Sequence, residues 1–327
     1  MSALRVPAPA LVVRLPNYIG DVVLGLPALQ LLRAHGLELE LVGRRWAPAL
    51  LAGESWRVHV QPARLRERVA QLRGLRRDAI ERDPGFGLRE NAIVLPNSFS
   101  SAAEMRLAGL RAVAYAWDGR SWLLARAEPP NFGGHALTTF WSLACNYLGL
   151  DARTHPPPAS ITLLTSAADQ ARADVLLARE RLTPGRFVVV APFAGGMFEK
   201  QDKRWPDFAQ FTRVLCARGI DVVACPGPDE VAIAREQHSG VRTLEGVGLG
   251  PYSGVLRRAA LMIGNDTGPA HLATAVGVPV ISVLGPTKPE QWAPWGPNVT
   301  VIRHWPRWPR VDEVLARSEA LLRGSES

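Results

Sequence analysis

The chain has 327 residues, 47% of them hydrophobic, which suits two domains with cores of ordinary size. No apolar run approaches the roughly 18 residues of a membrane span, and the N-terminus lacks the basic start and long apolar segment of a signal peptide. The three scattered cysteines argue against a disulfide framework or zinc site and indicate a reducing cytoplasm. The net charge of +8 and the pI of about 10.1 leave nucleic acid, an anionic membrane surface and a phosphorylated substrate open as partners.

The first half of the chain alternates buried strands with helices. An apolar strand at residues 11–15 leads into a turn at 16–20, and Asp21 is predicted to begin an amphipathic helix that Gly36 ends. Asp21 therefore has two interpretations, a helix cap or a functional carboxylate. Further strands are predicted at residues 37–42, 92–95 and 112–115, and further helices at 64–82 and 135–148.

Several polar side chains in this half have more than one interpretation. The helix at 64–82 is dense in arginine, which is typical of a solvated face and also suits contact with anionic lipid. A polar loop, residues 96–101, follows the strand at 92–95 and leads into a helix. His135 is predicted to be structural rather than catalytic.

The second half repeats the alternation after a proline-rich linker at residues 151–160. Strands are predicted at residues 187–191, 222–225, 261–263 and 279–284, and helices at 167–180, 205–218, 230–237, 270–276 and 311–322. Buried strands that alternate with helices predict parallel sheets covered on both faces. We therefore predict two Rossmann-like domains, residues 1–155 and 156–327, with a cleft between them. The last helix is a candidate for packing back on the first domain.

The stretch at residues 261–287 has the pattern strand, polar loop, helix, strand. Pro269 suits the first turn of a helix, and the N–H groups and dipole at that helix N-terminus favour an anion. Thr267 would add a hydroxyl donor, and Gly268 would let a ligand approach the backbone. The alternative is that Asp266 or Thr267 only caps the helix.

A second loop of similar design, residues 192–206, follows the strand at 187–191. It is rich in glycine, and it contains Lys200 and Lys203, two of only three lysines among 38 basic residues. Because parallel strands present their carboxyl ends at one edge, this loop and Thr267-Gly268 are predicted to form one anion site. A diphosphate held in this way needs no metal, and the sequence shows no metal-ligand cluster. The glycines at 246–250 fail the dinucleotide spacing, and no nucleophile-elbow motif is present, so redox and hydrolase functions are disfavoured.

Five short motifs, in this order and spread over nearly the whole chain, resemble those of the ADP-heptose:lipopolysaccharide heptosyltransferases of glycosyltransferase family 9. The first two are closer to heptosyltransferase II than to heptosyltransferase I. The motifs are Asn17-Tyr18-Ile19-Gly20-Asp21, Leu95-Pro96-Asn97-Ser98, Lys203-Arg204-Trp205-Pro206, Asn265-Asp266-Thr267-Gly268-Pro269-Ala270-His271 and Gly285-Pro286-Thr287.

The resemblance implies a GT-B fold, in which two Rossmann-like domains face each other across a cleft, and an inverting, metal-independent transfer without a cofactor. The C-terminal domain would hold ADP-heptose, and the N-terminal domain would hold a lipopolysaccharide inner-core acceptor of the Kdo/heptose–lipid A type. Asp21 matches the general base, and Asn17, Asn97 and Ser98 fall in the acceptor-side motifs. The residues implied for the nucleotide sugar are Lys203, Asp266, Thr267, Gly268, His271 and an acidic ribose contact at Asp229 or Glu230.

The chain departs from the family pattern in two places. Residues 197–202 lengthen the loop before Lys203, and residues 117–120 match poorly, which leaves the acceptor open. The alternatives are a family member with another sugar nucleotide or acceptor, and a sugar-nucleotide epimerase on the same fold. Nucleic-acid binding is disfavoured because the arginines are dispersed. We expect a cytoplasmic protein that meets the inner membrane leaflet peripherally.

Overall fold

The structure, a computed structural model, describes residues 9–195 and 197–324. These residues separate into two units by their contacts. The first comprises the chain up to Leu51 and Ser55–Pro158, and the second comprises Ala52–Glu54 and the chain from Ala159 onward. The border thus follows Pro158, within the proline-rich linker. Glu54 counts with the second unit, and its carboxylate accepts a hydrogen bond from the backbone N–H of Leu164, at 3.1 Å.

The first unit is built on a parallel sheet of six strands in the order β3-β2-β1-β4-β5-β6. Its strands are β1 (Ala10–Arg14), β2 (Glu38–Gly43), β3 (Arg57–Val60), β4 (Ala92–Val94), β5 (Ala112–Tyr115) and β6 (Arg126–Glu128). Its helices are α1 (Ile19–Ala34), α2 (Ala47–Leu50), α3 (Leu65–Arg82), α4 (Phe99–Leu107) and α5 (Ala136–Leu148). One core cluster joins β1, β4 and β5 to α3 and α4 through buried aliphatic side chains such as Val12, Leu72 and Met105.

The second unit repeats this topology in a parallel sheet ordered β11-β10-β7-β12-β13-β14. Its strands are β7 (Phe187–Ala191), β8 (Met197–Phe198), β9 (Gln201–Asp202), β10 (Asp221–Ala224), β11 (Arg242–Thr243), β12 (Leu261–Gly264), β13 (Val280–Val283) and β14 (Val299–Ile302). Its helices are α6 (Ala167–Arg179), α7 (Phe208–Ala217), α8 (Val231–Gln237), α9 (Leu249–Leu256), α10 (Gly268–Ala275), α11 (Pro289–Trp292) and α12 (Val311–Gly324). The last helix, α12, packs against α7 and β12 of this unit.

Both sheets have the strand order of a Rossmann fold, which confirms the predicted α/β class and the two Rossmann-like halves. The buried central strands agree with the sequence to within one or two residues. Within residues 9–195 and 197–324, no helix is long and apolar enough to cross a membrane.

The prediction that Asp21 begins a helix was wrong. Helix α1 begins at Ile19, and its N-cap is Tyr18, so Asp21 is the third helical residue rather than the cap. Ile19 and Gly20, predicted to belong to the turn, are the first helical residues instead. Asp21 remains in the first turn, where the helix dipole favours a carboxylate.

Candidate functional site

Most of the predicted site residues lie at the topological switch point of each sheet. Strand β1 lies between β2 and β4, and β7 lies between β10 and β12. The connections that follow β1 and β4 therefore lie on opposite faces of the first sheet, and those that follow β7 and β12 lie on opposite faces of the second. Ligands of open α/β sheets bind in the crevice that this divergence leaves beyond the carboxyl ends. In the first unit the loops after β1 and β4 hold Asn17, Asn97 and Ser98, with Asp21 in the first turn of α1. In the second unit the segments after β7 and β12 hold Lys203 and Asp266.

A buried arginine, which the sequence reasoning missed, organises the loop that carries Asn17. Arg14 ends β1 and is 3% exposed. Its guanidinium donates to the Oδ1 of Asn17 at 2.9 Å and to the Oε1 of Gln61 at 2.7 Å. Gln61 in turn donates to the buried carboxylate of Glu104 at 3.2 Å. Burial lowers the pKa of Arg14 to about 10, partly offset by Glu104.

The sequence did contain one signal for this role, because Arg14 is a charged residue in an otherwise apolar strand. A buried charge is normally paired, so such a residue is expected to have polar partners. The network fixes the Oδ1 of Asn17 and thereby the path of the chain into α1. Asn17 therefore acts first as a structural partner of Arg14. Its predicted contact with an acceptor stays a prediction.

A second buried arginine holds the loop after β4. Arg120 is fully buried and donates to the carbonyl oxygens of Pro96 at 2.5 Å and Ser98 at 3.2 Å. It also donates to the Oδ1 of Asn97 at 3.3 Å. Burial lowers its pKa to about 10. The segment at 117–120, which departs from the family pattern, thus supports the two predicted acceptor residues.

Ser98 has a local structural role. Its hydroxyl caps α4, where Oγ accepts from the backbone N–H of Ser101 at 3.4 Å and lies 2.7 Å from the Ser101 hydroxyl. His135 caps α5 in the same way through its Nδ1, which accepts from the backbone N–H of Leu137 at 3.2 Å. This capping bond gives His135 the structural role that was predicted.

The predicted nucleotide loops meet around the carboxylate of Asp266, which follows β12. Its Oδ2 accepts a hydrogen bond from the Nζ of Lys203 at 3.1 Å and from the hydroxyl of Thr287 at 2.8 Å. The Nε2 of His271 lies 4.0 Å from its Oδ1. The side chains of Lys203 and Asp266 are only 17% and 11% exposed. Segments after β7, β12 and β13 therefore converge on one partly buried ion pair.

Asn265 fixes the loop before this ion pair. Its Oδ1 accepts from the backbone N–H of Trp205 at 2.9 Å, and its Nδ2 donates to the carbonyl oxygen of Pro192 at 2.5 Å. Trp205 is buried and donates through Nε1 to the carbonyl oxygen of Pro309 at 3.1 Å. The amide thus ties both ends of the loop that contains Lys203 to the end of β12.

The alternative that Asp266 or Thr267 only caps α10 is met in part, because Thr267 occupies the N-cap position. Thr267 is the N-cap by its backbone and makes no capping bond with its hydroxyl, and Asp266 binds Lys203 and Thr287 instead. Helix α10 begins at Gly268 with Pro269 in its first turn, as predicted. The hydroxyl of Thr267 is therefore not used on the helix that it precedes.

Asp229 and Glu230 differ in what they are available to bind. Both lie in a 3-10 turn, Pro228–Glu230, after β10. The carboxylate of Glu230 accepts from the backbone N–H of Gly227 at 2.8 Å and so serves the turn itself. Asp229 is exposed and forms no ion pair or side-chain hydrogen bond with the residues that the structure describes. Asp229 is thus the better candidate for a ribose contact.

The extra residues before Lys203 form a β-hairpin. Strands β8 and β9 pair in antiparallel fashion, and the two residues between them, Glu199 and Lys200, have φ angles of 49° and 65°. Two consecutive positive φ angles are typical of the tight turn that suits the twist of a hairpin. Lys200 is exposed at its tip, whereas Lys203 follows β9 and reaches Asp266. Lys203 alone of these two lysines therefore belongs to the site.

Comparisons with known proteins identify a family and two solved structures to which the chain is similar. The family model described as glycosyltransferase family 9 (heptosyltransferase) matches residues 87–319. Lipopolysaccharide heptosyltransferase 3 of Escherichia coli is 39% identical over 130 residues, a match that covers 36% of this chain and 36% of that protein. This chain therefore aligns with well under two thirds of that curated relative.

Two solved structures from E. coli match nearly the whole chain. ADP-heptose lps heptosyltransferase II has a TM-score of 0.78 at 22% identity, over 97% of this chain and 100% of that chain. Heptosyltransferase WaaC with ADP has a TM-score of 0.69 at 22% identity, over 95% and 99%. At these identities the likeness concerns the fold, and it confirms the predicted GT-B class.

Proposed function

The chain belongs to glycosyltransferase family 9, and we propose that it transfers a heptose from ADP-heptose to a lipopolysaccharide inner-core acceptor of the Kdo/heptose–lipid A type. The observation that carries the proposal is the convergence of Lys203, Asp266 and Thr287 beyond the central strands of the second sheet. Such an arrangement of a cation, a hydroxyl and a helix N-terminus suits the diphosphate of a sugar nucleotide.

The second unit would hold the donor. The ammonium of Lys203 and the N-terminus of α10 would meet the charge of the diphosphate, with Thr267 and Gly268 beside it. Because Lys203 is paired with Asp266, the diphosphate would compete with this carboxylate for the ammonium. His271 and Asp266 would then be placed to meet sugar hydroxyls, and Asp229 would meet the ribose. The heptosyltransferase WaaC structure with ADP supports adenine as the base.

The first unit would hold the acceptor and the general base. Transfer with inversion requires the acceptor hydroxyl to lose its proton as its oxygen attacks the anomeric carbon from the face opposite the leaving diphosphate. Asp21, in the first turn of α1, where the helix dipole favours a carboxylate, would take that proton. The loops pinned by Arg14 and Arg120 would shape the acceptor site around Asn17, Asn97 and Ser98.

The leaving group would need no metal ion. Its developing negative charge would be stabilised by Lys203 and by the backbone dipoles at the start of α10, which are fixed before the reaction begins. The enzyme would act in the cytoplasm and meet the inner leaflet peripherally, where its net charge of +8 would attract phosphorylated, membrane-anchored acceptors. Nucleic acid is not among the proposed partners.

A thermal-shift panel with ADP, UDP, GDP and dTDP tests the donor. A ligand that binds only the folded state stabilises it by about 2.7 kcal/mol at a concentration of 100 Kd, so ADP should raise the melting temperature most. A larger shift with UDP, GDP or dTDP would favour another sugar nucleotide. Mass spectrometry of a Kdo–lipid A acceptor incubated with the enzyme and ADP-heptose then tests the transfer, and an acceptor without added heptose would refute it.

A further inference from the structure

A second basic site lies on the first unit, between α3 and α4. A cavity of about 670 Å³ is lined by the arginines Arg73, Arg76 and Arg77 and by the last turn of α4 with Gly109. Gly109 lies in the short connection between α4 and β5. The cavity therefore lies near the amino ends of the strands of this sheet. The predicted acceptor residues lie beyond the carboxyl edge, which makes the cavity a separate site.

Arg76 at the base of this cavity has an unmet requirement. Its Nε is buried and donates no hydrogen bond to any residue that the structure describes. Buried donors are normally paired, and an unpaired one is destabilising. Because solvent does not reach this Nε, an anion in the cavity would meet the other N–H groups of Arg76, which lines the cavity.

The guanidinium of Arg76 lies close to two glycines, Gly109 and Gly87. A Cβ at Gly109 would lie 3.3 Å from the Nε of Arg76, and one at Gly87 would lie 3.8 Å from its Nη2. Gly109 also has a φ of +77°, which disfavours any other residue there. The Nε of Arg76 is thus packed against Gly109, whereas its Nη2 lies at an ordinary contact distance from Gly87.

The neighbouring arginines have few competing partners. Arg73 donates one hydrogen bond to the carbonyl oxygen of Leu107 at 3.1 Å and is exposed. Arg77 is 73% exposed and lies 3.5 Å from Asp78, a distance and an exposure at which an ion pair contributes little. The backbone N–H of Gly109 is already bonded to Arg106. Any anion here would be bound by guanidinium groups.

We propose that this cavity binds a phosphate group through Arg76, assisted by Arg73 and Arg77. Guanidinium presents paired N–H donors whose spacing matches two phosphate oxygens. Leu107, which lines the cavity, is 54% exposed, and Leu88, which follows Gly87 near the Nη2 of Arg76, is 85% exposed. Apolar side chains next to a phosphate site favour the headgroup of an anionic phospholipid as the source.

The test compares two phosphate sources on the full chain. Sedimentation with phosphatidylglycerol and phosphatidylcholine vesicles measures binding to a headgroup, and calorimetry with inorganic phosphate measures binding to the free ion. The variants are Arg76→Gln, Arg76→Lys and Arg77→Gln, and the matched control is Arg66→Gln, an exposed arginine of the same helix outside the cavity. The melting temperature of each variant and its shift with ADP are recorded as a check on folding and on the donor site.

We expect the parent to bind phosphatidylglycerol but not phosphatidylcholine vesicles, with binding weakened by salt. Arg76→Gln should weaken that binding about tenfold or more, Arg77→Gln less, and Arg66→Gln by less than about twofold. Arg76→Lys should rescue only part of it, because an ammonium lacks the planar fork. Binding of inorganic phosphate alone, with the same dependence on Arg76, would keep the site and assign it to a soluble phosphate.

The proposal would be overturned if Arg76→Gln and Arg77→Gln bound both probes like the parent, or no worse than Arg66→Gln does. It does not rest on the transfer reaction. An unchanged ADP shift in a variant that has lost phosphate binding would separate the two sites.

Discussion

Removal of the Lys203 ammonium should weaken nucleotide binding and destabilise the second unit at once. The Nζ of Lys203 lies 3.1 Å from the Oδ2 of Asp266, and both side chains are largely buried. Loss of one partner leaves the carboxylate with the Thr287 hydroxyl at 2.8 Å and with the more distant Nε2 of His271 at 4.0 Å. Breaking a buried pair in this way costs about 3–5 kcal/mol. Because Thr287 still donates, we expect Lys203→Ala to lose roughly 2–3 kcal/mol of the free energy of unfolding.

The effect on ADP should be a separate quantity. A hydrogen bond to a charged group contributes about 1.5–3 kcal/mol, or roughly 10- to 150-fold in Kd. The unpaired Asp266 would also repel the diphosphate, so we expect the upper part of this range for Lys203→Ala. Lys203→Arg keeps the charge but changes its geometry, and it should recover only part of the affinity.

Calorimetry measures the affinity for ADP, and chemical unfolding measures the free energy of unfolding. Both are applied to Lys203→Ala, Lys203→Arg and one control. The control is Lys200→Ala, which removes the same charge from the exposed tip of the neighbouring hairpin. It should change neither the affinity nor the stability by a measurable amount. If Lys203→Ala and Lys203→Arg both bind ADP like the parent, the diphosphate lies elsewhere and the assignment is refuted.

Three further substitutions probe the first unit and the loop at Gly285. Asp21→Asn should keep the melting temperature and the ADP shift but lose roughly 10²–10⁴-fold in turnover, and near-parental turnover would rule it out as the base. Burial alone would raise the pKa of Glu40, but hydrogen bonds from His59, Arg82 and Arg57 lower it to about 2. The stability that ionised Glu40 contributes is therefore present above about pH 4.5 and is lost as the pH falls toward 2. In Glu40→Gln, the free energy of unfolding measured with urea should fall by roughly 3 kcal/mol less than in the parent over this range of pH. An unchanged dependence on pH would contradict this. A Cβ at Gly285 would lie 2.2 Å from the Trp308 ring, so Gly285→Ala should lower stability by about 1–3 kcal/mol in the same unfolding assay, and the loss should shrink in a Trp308→Ala background.

The sequence predicted the centre of each sheet because central parallel strands are buried on both faces and read as apolar runs. Strand β7, Phe187–Ala191, and strand β5, Ala112–Tyr115, have the predicted bounds. The edges were missed. Strand β3 is Arg57-Val58-His59-Val60 and is partly exposed, and β6 is only three residues with a charge at each end. Such strands carry no apolar run to detect.

The site was predicted in part. The motifs identified Lys203 and Asp266, and the structure brings them together because both follow strands at one switch point. Arg14 and Arg120 were not found, since their importance depends on contacts 3 to 47 residues away, such as the one from Arg14 to Gln61. A pattern along the chain does not record which distant group a buried guanidinium will meet. The hairpin before Lys203 was seen as extra length, but its turn has no glycine to mark it.

The two units hold their switch-point loops by the same physical means with different residues. In the first unit, the guanidinium groups of Arg14 and Arg120 bind side-chain and backbone oxygens of the loops after β1 and β4. In the second, the amide of Asn265 binds the backbone before and after the loop that carries Lys203. Each of these polar groups is buried, so releasing a loop would leave it without partners at a cost of about 1–3 kcal/mol or more. The loops are therefore ordered by the protein itself, and a ligand that binds them does not have to meet the entropic cost of ordering them.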